Sequence, residues 1–134
     1  MKATIISRVA LVIAALALCA APMFAQDPVK VGPNVYKSIF ENERIRVNEI
    51  NFKVGDKIGM HSHPDHVVYW IEGGTLRIYS PNGDSVDVTG KAGEVLWLSA
   101  TTHAAMNIGK TNVKAVQVEL KEPAPMKADS TKKG

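Results

Sequence analysis

The sequence predicts a single all-β domain, folded as a small barrel or sandwich, and three observations support this. The chain has 134 residues, which is enough for one compact core. Short alternating or β-branched segments recur along it, separated by Gly, Asn and Pro. Outside the first 25 residues, no segment shows an apolar period of 3.6 over three turns, so long helices are not expected. Many short strands at even spacing are typical of a sandwich or closed barrel.

The pattern predicts seven strands and one clear hairpin. The strands cover residues 35–40, 44–52, 67–72, 75–79, 85–88, 95–98 and 113–120. Asn82-Gly83 lies between two of these segments and is a strong signal for a β-hairpin. Beyond the last strand, prolines are followed by polar side chains, so residues 122–134 are expected to form a disordered polar tail.

The first 25 residues have the organisation of a secretory signal peptide. Lys2 and Arg8 precede an uninterrupted apolar run at residues 9–21, which is too short to span a bilayer. Cleavage after Ala25 would remove the chain's one cysteine, Cys19. The mature protein is therefore expected to be periplasmic or secreted and to contain no disulfide. Lipidation of Cys19 and retention of the run as an anchor are the alternatives.

The expected mature chain has three parts. An N-terminal extension at residues 26–34 leads into a β-barrel domain at residues 35–121, and the tail follows. The formal charge of +3 comes from the two ends, because residues 26–120 carry ten basic and eleven acidic side chains. A neutral domain predicts no nucleic-acid partner and, once the signal is removed, no membrane partner.

The four histidines are the main functional signal. Residues two apart on a strand share a face, so His61 and His63 can present their imidazoles to one point. Pro64-Asp65 then breaks the strand, which resets the alternation and lets His66 return to the same side. His103 must come from a distant strand. The pattern predicts a site for one metal ion, in which Asp65 is an alternative oxygen ligand.

At these residues the sequence resembles the cupin family. The first cupin motif is a Gly, five residues, His-x-His, three or four residues, Glu, six residues and Gly. This chain has Gly55, five residues, His61-Ser62-His63, two residues, His66, six residues and Gly73. His66 is therefore similar in position to the family's ligand Glu, after a shortened loop.

The second cupin motif is similar but less complete. It consists of a Gly, five residues, Pro-x-Gly, two residues, His, three residues and Asn. Here Gly93 is followed by five residues and Ser99, and His103 by three residues and Asn107, so the Pro-x-Gly turn is altered. The resemblance covers residues 35–121 and extends to small single-domain cupins, including ones named for β-alanine degradation. It implies one cupin barrel, a double-stranded β-helix or jelly roll.

A metal site of three or four imidazoles suits Fe, Zn, Ni, Cu or Mn, whereas Mg and Ca are disfavoured for lack of carboxylates. The resemblance implies that His61, His63, His66 and His103 hold the ion. His66 could instead not contact the ion and donate a hydrogen bond to one of its ligands. Metal affinity is expected to fall in acid, as protons compete for the ring nitrogens.

Three functions remain open on sequence grounds. A metal-dependent enzyme, such as a dioxygenase or isomerase, would act on a small polar or carboxylated molecule; this is what the resemblance implies. The alternatives are a non-catalytic module that binds or senses a small ligand and a purely structural metal site. Candidates for substrate contact are Trp70, Tyr69 and Asn107, although Trp70 equally suits core packing. The resemblance also implies a homodimer formed through the N-terminal strands around Ile39 and Val47.

Overall fold

A computed structural model describes residues 26–122, which form nine strands and one short helix. The predicted signal peptide at residues 1–25, and the predicted tail from residue 123 onward, lie outside the described residues. The elements in chain order are α1 (Pro28–Val31), β1 (Tyr36–Glu41), β2 (Ile45–Phe52), β3 (Lys57–His63), β4 (His66–Glu72), β5 (Gly74–Tyr79), β6 (Ser85–Gly90), β7 (Val95–Leu98), β8 (Thr101–Asn107) and β9 (Val113–Leu120).

The strands form two antiparallel sheets with the topology of a jelly roll. The five-stranded sheet has the order β1-β2-β9-β4-β7, and the four-stranded sheet has the order β3-β8-β5-β6. Every pair of neighbouring strands is antiparallel. The chain passes from one sheet to the other at every connection except those from β1 to β2 and from β5 to β6. This all-β architecture confirms the predicted fold class.

All seven predicted strands are present, and the two at residues 95–98 and 113–120 have the predicted bounds. The hairpin between β5 and β6 turns at Asn82-Gly83, where Gly83 has a φ of +93°. The strands β3 and β8 were not predicted with bounds of their own. Irregular alternation hides β3, and β8 is rich in alanine and small polar residues, which are weak strand formers.

The interior of the barrel has an apolar end and a polar end. Inward residues late in β2 and early in β9 are apolar, as with Phe52 and Val113, which are fully buried. At the other end of the same two strands, Asn48 and Glu119 point inward and are also buried. Buried polar groups need partners, so the polar end must contain a hydrogen-bonded network.

The residues before β1 close one side of the barrel. Asp27 caps α1 by accepting a hydrogen bond from the Val29 N–H over 2.9 Å. The Gln26 carbonyl accepts from the Ser62 N–H on β3 over 2.9 Å. Gly32 packs so closely on β3 that a Cβ there would lie 2.5 Å from the Ile58 Cδ1 atom. The predicted N-terminal extension is thus part of the packed structure. Within residues 26–122, no helix is long and apolar enough to cross a membrane.

Candidate metal centre

Three histidines from two neighbouring strands converge inside the barrel. His61 and His63 lie on β3, and His103 lies directly opposite His61 on β8. One ring nitrogen from each residue falls within 4.8 Å of the other two. The ring centroids of His61 and His63 are 4.7 Å apart, as are those of His61 and His103. The structure therefore confirms that these three side chains meet at one point.

A β-bulge directs His61 into the barrel. Between Ile58 and His61, β3 contains one more residue than the facing part of β8. Residues three apart on a regular strand face opposite sides, yet Ile58 and His61 are both buried. The bulge includes Gly59, whose carbonyl accepts a hydrogen bond from His61 Nδ1 over 2.8 Å. The irregularity therefore both aims the His61 side chain and fixes its ring.

His66 reaches the same region from the other sheet. The chain crosses from β3 to β4 at Pro64-Asp65, and His66 is the first residue of β4. It is buried, and its ring centroid lies 4.9 Å from that of His63. Its ring nitrogens fall outside the three-histidine group, so it stands beside that group. Asp65 is not part of the cluster, because it is exposed and its carboxylate accepts a hydrogen bond from the Ala100 N–H over 2.7 Å.

Three of the four imidazoles are held by their Nδ1 atoms. His61 Nδ1 donates to the Gly59 carbonyl, His63 Nδ1 to the Glu119 carboxylate over 2.6 Å, and His66 Nδ1 to the Pro64 carbonyl over 2.7 Å. Because these oxygens only accept, the proton must be on Nδ1, which leaves Nε2 with a free lone pair. The Nε2 atoms of His61 and His63 are buried and have no partner among the described residues. Orphaned, inward-facing imidazole nitrogens of this kind fit a transition-metal ion.

His63 is hydrogen-bonded to a chain of charged groups. Glu119 on β9 accepts from His63 through one oxygen and from Arg46 Nε through the other, over 2.7 Å. Arg46 Nη1 in turn donates to the Asp27 carboxylate over 2.8 Å. Burial alone would raise the pKa of Glu119, but hydrogen bonds from His63 and Arg46 hold it below its usual value. Glu119 is therefore a carboxylate, and its hydrogen bond orients the His63 ring as a metal ligand.

Burial keeps three of the histidines, His61, His66 and His103, neutral. Loss of hydration lowers the pKa of His61 to about 4 and that of His103 to about 3. The pKa of His66 is also lowered, again mainly by burial. At neutral pH these rings are therefore unprotonated, which is the form that binds metal.

The histidine cluster borders a cavity of about 440 Å³ between the two sheets. His66 and His103 contribute to its wall, together with Tyr36, whose ring centroid lies 5.6 Å from that of His61. Burial raises the pKa of Tyr36, so its phenol stays protonated. The cavity opens to solvent near Val86 on β6 and Leu98 on β7, two exposed residues that also line it.

Of the three residues predicted to contact a substrate, only Trp70 lines this cavity. Tyr69 points to the opposite face of the five-stranded sheet and is 46% exposed, because neighbouring residues on a strand alternate in direction. Asn107 is buried, but its amide donates to the Phe52 and Thr111 carbonyls and its oxygen accepts from the Gly109 N–H. The pocket assignment of Tyr69 and Asn107 is thus corrected: the first is a surface residue, and the second fixes a loop.

Sequence reasoning missed the residues that support the site. Tyr36, Arg46, Gln117 and Glu119 were not among the predicted site residues. The alternation in β9 could have indicated two of them, because Gln117 and Glu119 share the inward face of Val113 and Ala115. A polar pair on a core-facing side is a signal for a buried network.

Comparisons with solved structures match this architecture. A cupin domain from Bordetella pertussis Tohama I is 29% identical, with a TM-score of 0.60, over 66% of this chain and 93% of its own. The chain belongs to the cupin superfamily. An RmlC-like cupin family protein from Methanocaldococcus jannaschii is similar in fold, at 16% identity and a TM-score of 0.52, over 66% of this chain and 81% of its own. A cupin superfamily protein from Desulfitobacterium hafniense DCB-2 is 18% identical, with a TM-score of 0.50, over 66% of this chain and 77% of its own.

No family model matches the sequence, and no curated protein does. The cupin assignment therefore stands on the fold and on the two motifs together. The first motif supplies His61 and His63, and the second supplies His103. His66 takes the place of the cupin Glu and lies beside this trio.

Replacement of Glu119 should weaken metal binding. In Glu119→Gln the buried carboxylate that accepts from His63 is lost, so metal affinity should fall about 10- to 100-fold. Glu72→Gln is the matched control, because Glu72 is an exposed carboxylate paired with Lys114 on the surface. Competition with a chromophoric chelator measures both affinities. Equal affinity for Zn²⁺ in Glu119→Gln and wild type, with both proteins folded by circular dichroism, would contradict the supporting role.

The metal-free protein should lose stability as the pH falls from about 6.5 to 5. The folded state depresses the pKa of His61 and His103, so the unfolded chain binds more protons in this range. The free energy of unfolding is therefore highest above about pH 7. It decreases as the pH falls below that value, by at most about 1.4 kcal/mol per pH unit for each such histidine. Urea unfolding at several pH values measures this slope. His103→Ala should have a shallower slope, and an unchanged slope would show that His103 is not held neutral.

Proposed function

We propose that this cupin binds one divalent transition-metal ion through His61, His63 and His103 and uses it to act on a small molecule in the adjoining cavity. The observation that carries the proposal is the convergence of three imidazoles, two of which have a buried Nε2 with no partner among the described residues, next to a cavity of substrate size. Imidazole ligands suit Fe, Zn, Ni, Cu or Mn. When bound, such an ion supplies Lewis-acid chemistry or oxygen activation.

His66 is proposed as the fourth ligand. Its Nδ1 is occupied by the Pro64 carbonyl, so Nε2 is the atom available to a metal. The residue lies in the cavity wall, next to His63. Four protein ligands would still leave one or two positions on a five- or six-coordinate ion for a substrate oxygen or for water.

Dioxygenase or isomerase chemistry is the favoured class, and a non-catalytic binding or sensing module is the alternative. One observation favours the alternative: apart from the histidines and Tyr36, the described residues that line the cavity contain no acid, base or nucleophile other than Ser99 and Thr101. An enzyme of this design must therefore obtain its reactivity from the ion, while the protein binds and orients the substrate. Turnover of a bound ligand separates the two functions.

Metal content provides the direct test of the site. Residues 26–134, purified without an affinity His-tag, should contain close to one equivalent of Fe, Zn, Ni, Cu or Mn by elemental analysis. His103→Ala should lose the metal, because only two of the three converging imidazoles remain. His66→Ala should keep it with lower affinity. Absence of metal from the wild type, even after anaerobic reconstitution, would overturn the proposal and leave the metal-free binding module.

We also propose export, on the basis of the basic and apolar segments within residues 1–25. The measurement is the intact mass of protein isolated from a Gram-negative host. A periplasmic product whose sequence begins at Gln26 is expected. A cytoplasmic product that retains residues 1–25 would contradict export.

A homodimer is proposed through the outer face of the five-stranded sheet. An apolar stripe crosses all five strands in register, formed by Phe40, Val47, Val118, Val67 and Trp97. The two residues at its ends, Phe40 and Trp97, are each more than half exposed. A sheet face that meets water normally carries polar side chains, so a stripe of this kind indicates a covered surface.

The occupant that best fits this stripe is a second copy of the chain. A two-fold interface places the same patch on both subunits, so it must complement itself, as an uncharged apolar stripe does. The same sheet also carries two ion pairs, Lys114 with Glu72 and Lys121 with Glu41, which add no net charge to it. The predicted interface around Ile39 and Val47 lies at one end of the stripe.

A charge within the stripe should separate the subunits. Light scattering of residues 26–134 should give the mass of two chains, and Trp97→Lys should give the mass of one. The control is Val54→Lys, because Val54 is equally exposed but lies in the turn between β2 and β3. A monomeric wild type would contradict the dimer. If that monomer bound lipid vesicles, or bound a peptide of residues 9–21, the stripe would belong to that occupant.

A further inference from the structure

We infer that the ligand of this cavity is a mostly apolar molecule, aromatic or branched aliphatic, whose oxygen atoms lie at one end only. The expected position of the ligand's oxygen atoms rests on the proposed metal site. The apolar character of the rest of the ligand rests on the cavity wall. It departs from the sequence-based expectation of a small polar or carboxylated substrate.

Within residues 26–122, the wall of the cavity has no charged side chains. Twenty of these residues line it, and none is Lys, Arg, Asp or Glu. A free carboxylate buried there would have no cationic partner, which is costly unless the metal itself provides the charge. Arg46, the partly buried cation that the hydrogen-bond network connects to His63, does not line the cavity. It is already engaged by Glu119 and Asp27.

The polar groups are segregated along the strands. On β4 the inward residues run from His66 through Val68 to Trp70, and all three line the cavity. The antiparallel neighbour β9 shows the same gradient of polarity. Its cavity-lining residues change from the polar Gln117, near the His66 end of β4, to the apolar Val113. One end of the cavity therefore offers imidazoles and an amide, and the other offers apolar side chains. A ligand that complements this wall must itself be polar at one end.

Away from this polar end, the wall is apolar. The facing sheet contributes Leu76 and Ile78, and the five-stranded sheet contributes Ile50 and Phe52. The Trp70 ring is pressed against Gly90, where a Cβ atom would lie only 2.2 Å from the indole. The cavity of about 440 Å³ corresponds to roughly fifteen water volumes. That space suits a molecule of roughly a dozen non-hydrogen atoms.

The chain contains its own reporter for binding. It has two tryptophans: Trp70 in the cavity wall and Trp97 on the outer sheet face. In Trp97→Phe, tryptophan fluorescence reports on the cavity alone. The probes are acetohydroxamate, benzohydroxamate and 2-naphthohydroxamate, which share a metal-chelating head and differ in apolar area. Oxalate and succinate serve as small carboxylated comparators.

With the Zn²⁺-loaded protein, affinity should rise at least tenfold from acetohydroxamate to benzohydroxamate, because the phenyl ring leaves water for the apolar wall. Ala105→Leu places extra bulk in the cavity and should abolish this gain while acetohydroxamate still binds. The control is Ala104→Leu, since Ala104 is the neighbouring residue and does not line the cavity. If Ala105→Leu does not fold, the affinities of the three hydroxamates for the protein with Ala105 still test whether the ligand is apolar.

The outcomes separate this inference from the metal proposal. Zn²⁺ binding with no gain from the aromatic ring, or with tighter binding of oxalate or succinate, would overturn the apolar ligand and leave the metal site intact. Failure to bind Zn²⁺ would overturn the metal site alone. In that case 1-naphthol, which has an apolar body and one hydroxyl group, should still change Trp70 fluorescence. Absence of any 1-naphthol response would overturn the inference as well.

Discussion

The hydrogen bond between His63 and Glu119 is the constraint on which the rest of the site depends. It joins β3 of one sheet to β9 of the other, between residues 56 positions apart in the sequence. A buried carboxylate costs several kcal/mol unless it is paired, and here both of its oxygens are engaged. Through Arg46 the same network reaches Asp27, which caps α1. The N-terminal segment, the two sheets and the metal centre are thereby held in one arrangement.

This network makes one end of the barrel polar, while the other end is apolar. One small domain can therefore contain both a stabilising core and a chemical site. Buried apolar residues such as Phe52 and Val113 form the core at one end. At the other end, His63, Glu119 and Arg46 are joined by hydrogen bonds, and the Nε2 atoms of His61 and His63 have no partner among the described residues. The cavity spans both ends, so a bound molecule would meet the metal and the apolar wall together.

Local patterns predicted much of this, and long-range pairing accounts for the rest. Alternation and the break at Pro64-Asp65 predicted that His61, His63 and His66 share one side, and the structure buries all three, with His66 on the other sheet. The bulge in β3 concealed that strand, because it shifts the alternation before His61. Glu119 could not be assigned to His63, because spacing along one strand does not reveal the register across sheets. The apolar character of the cavity was missed for the same reason, since its wall is assembled from many strands.

X-ray absorption spectroscopy of the metal-reconstituted protein shows directly whether the histidines bind the ion. We expect three or four nitrogen ligands at about 2.0–2.1 Å for Zn²⁺, with the multiple scattering that is characteristic of imidazole rings. Loss of one imidazole in His103→Ala would assign the signal to this cluster. A coordination shell of oxygen atoms alone, with no imidazole scattering, would contradict the account, because the four histidines would then have no part in binding the ion.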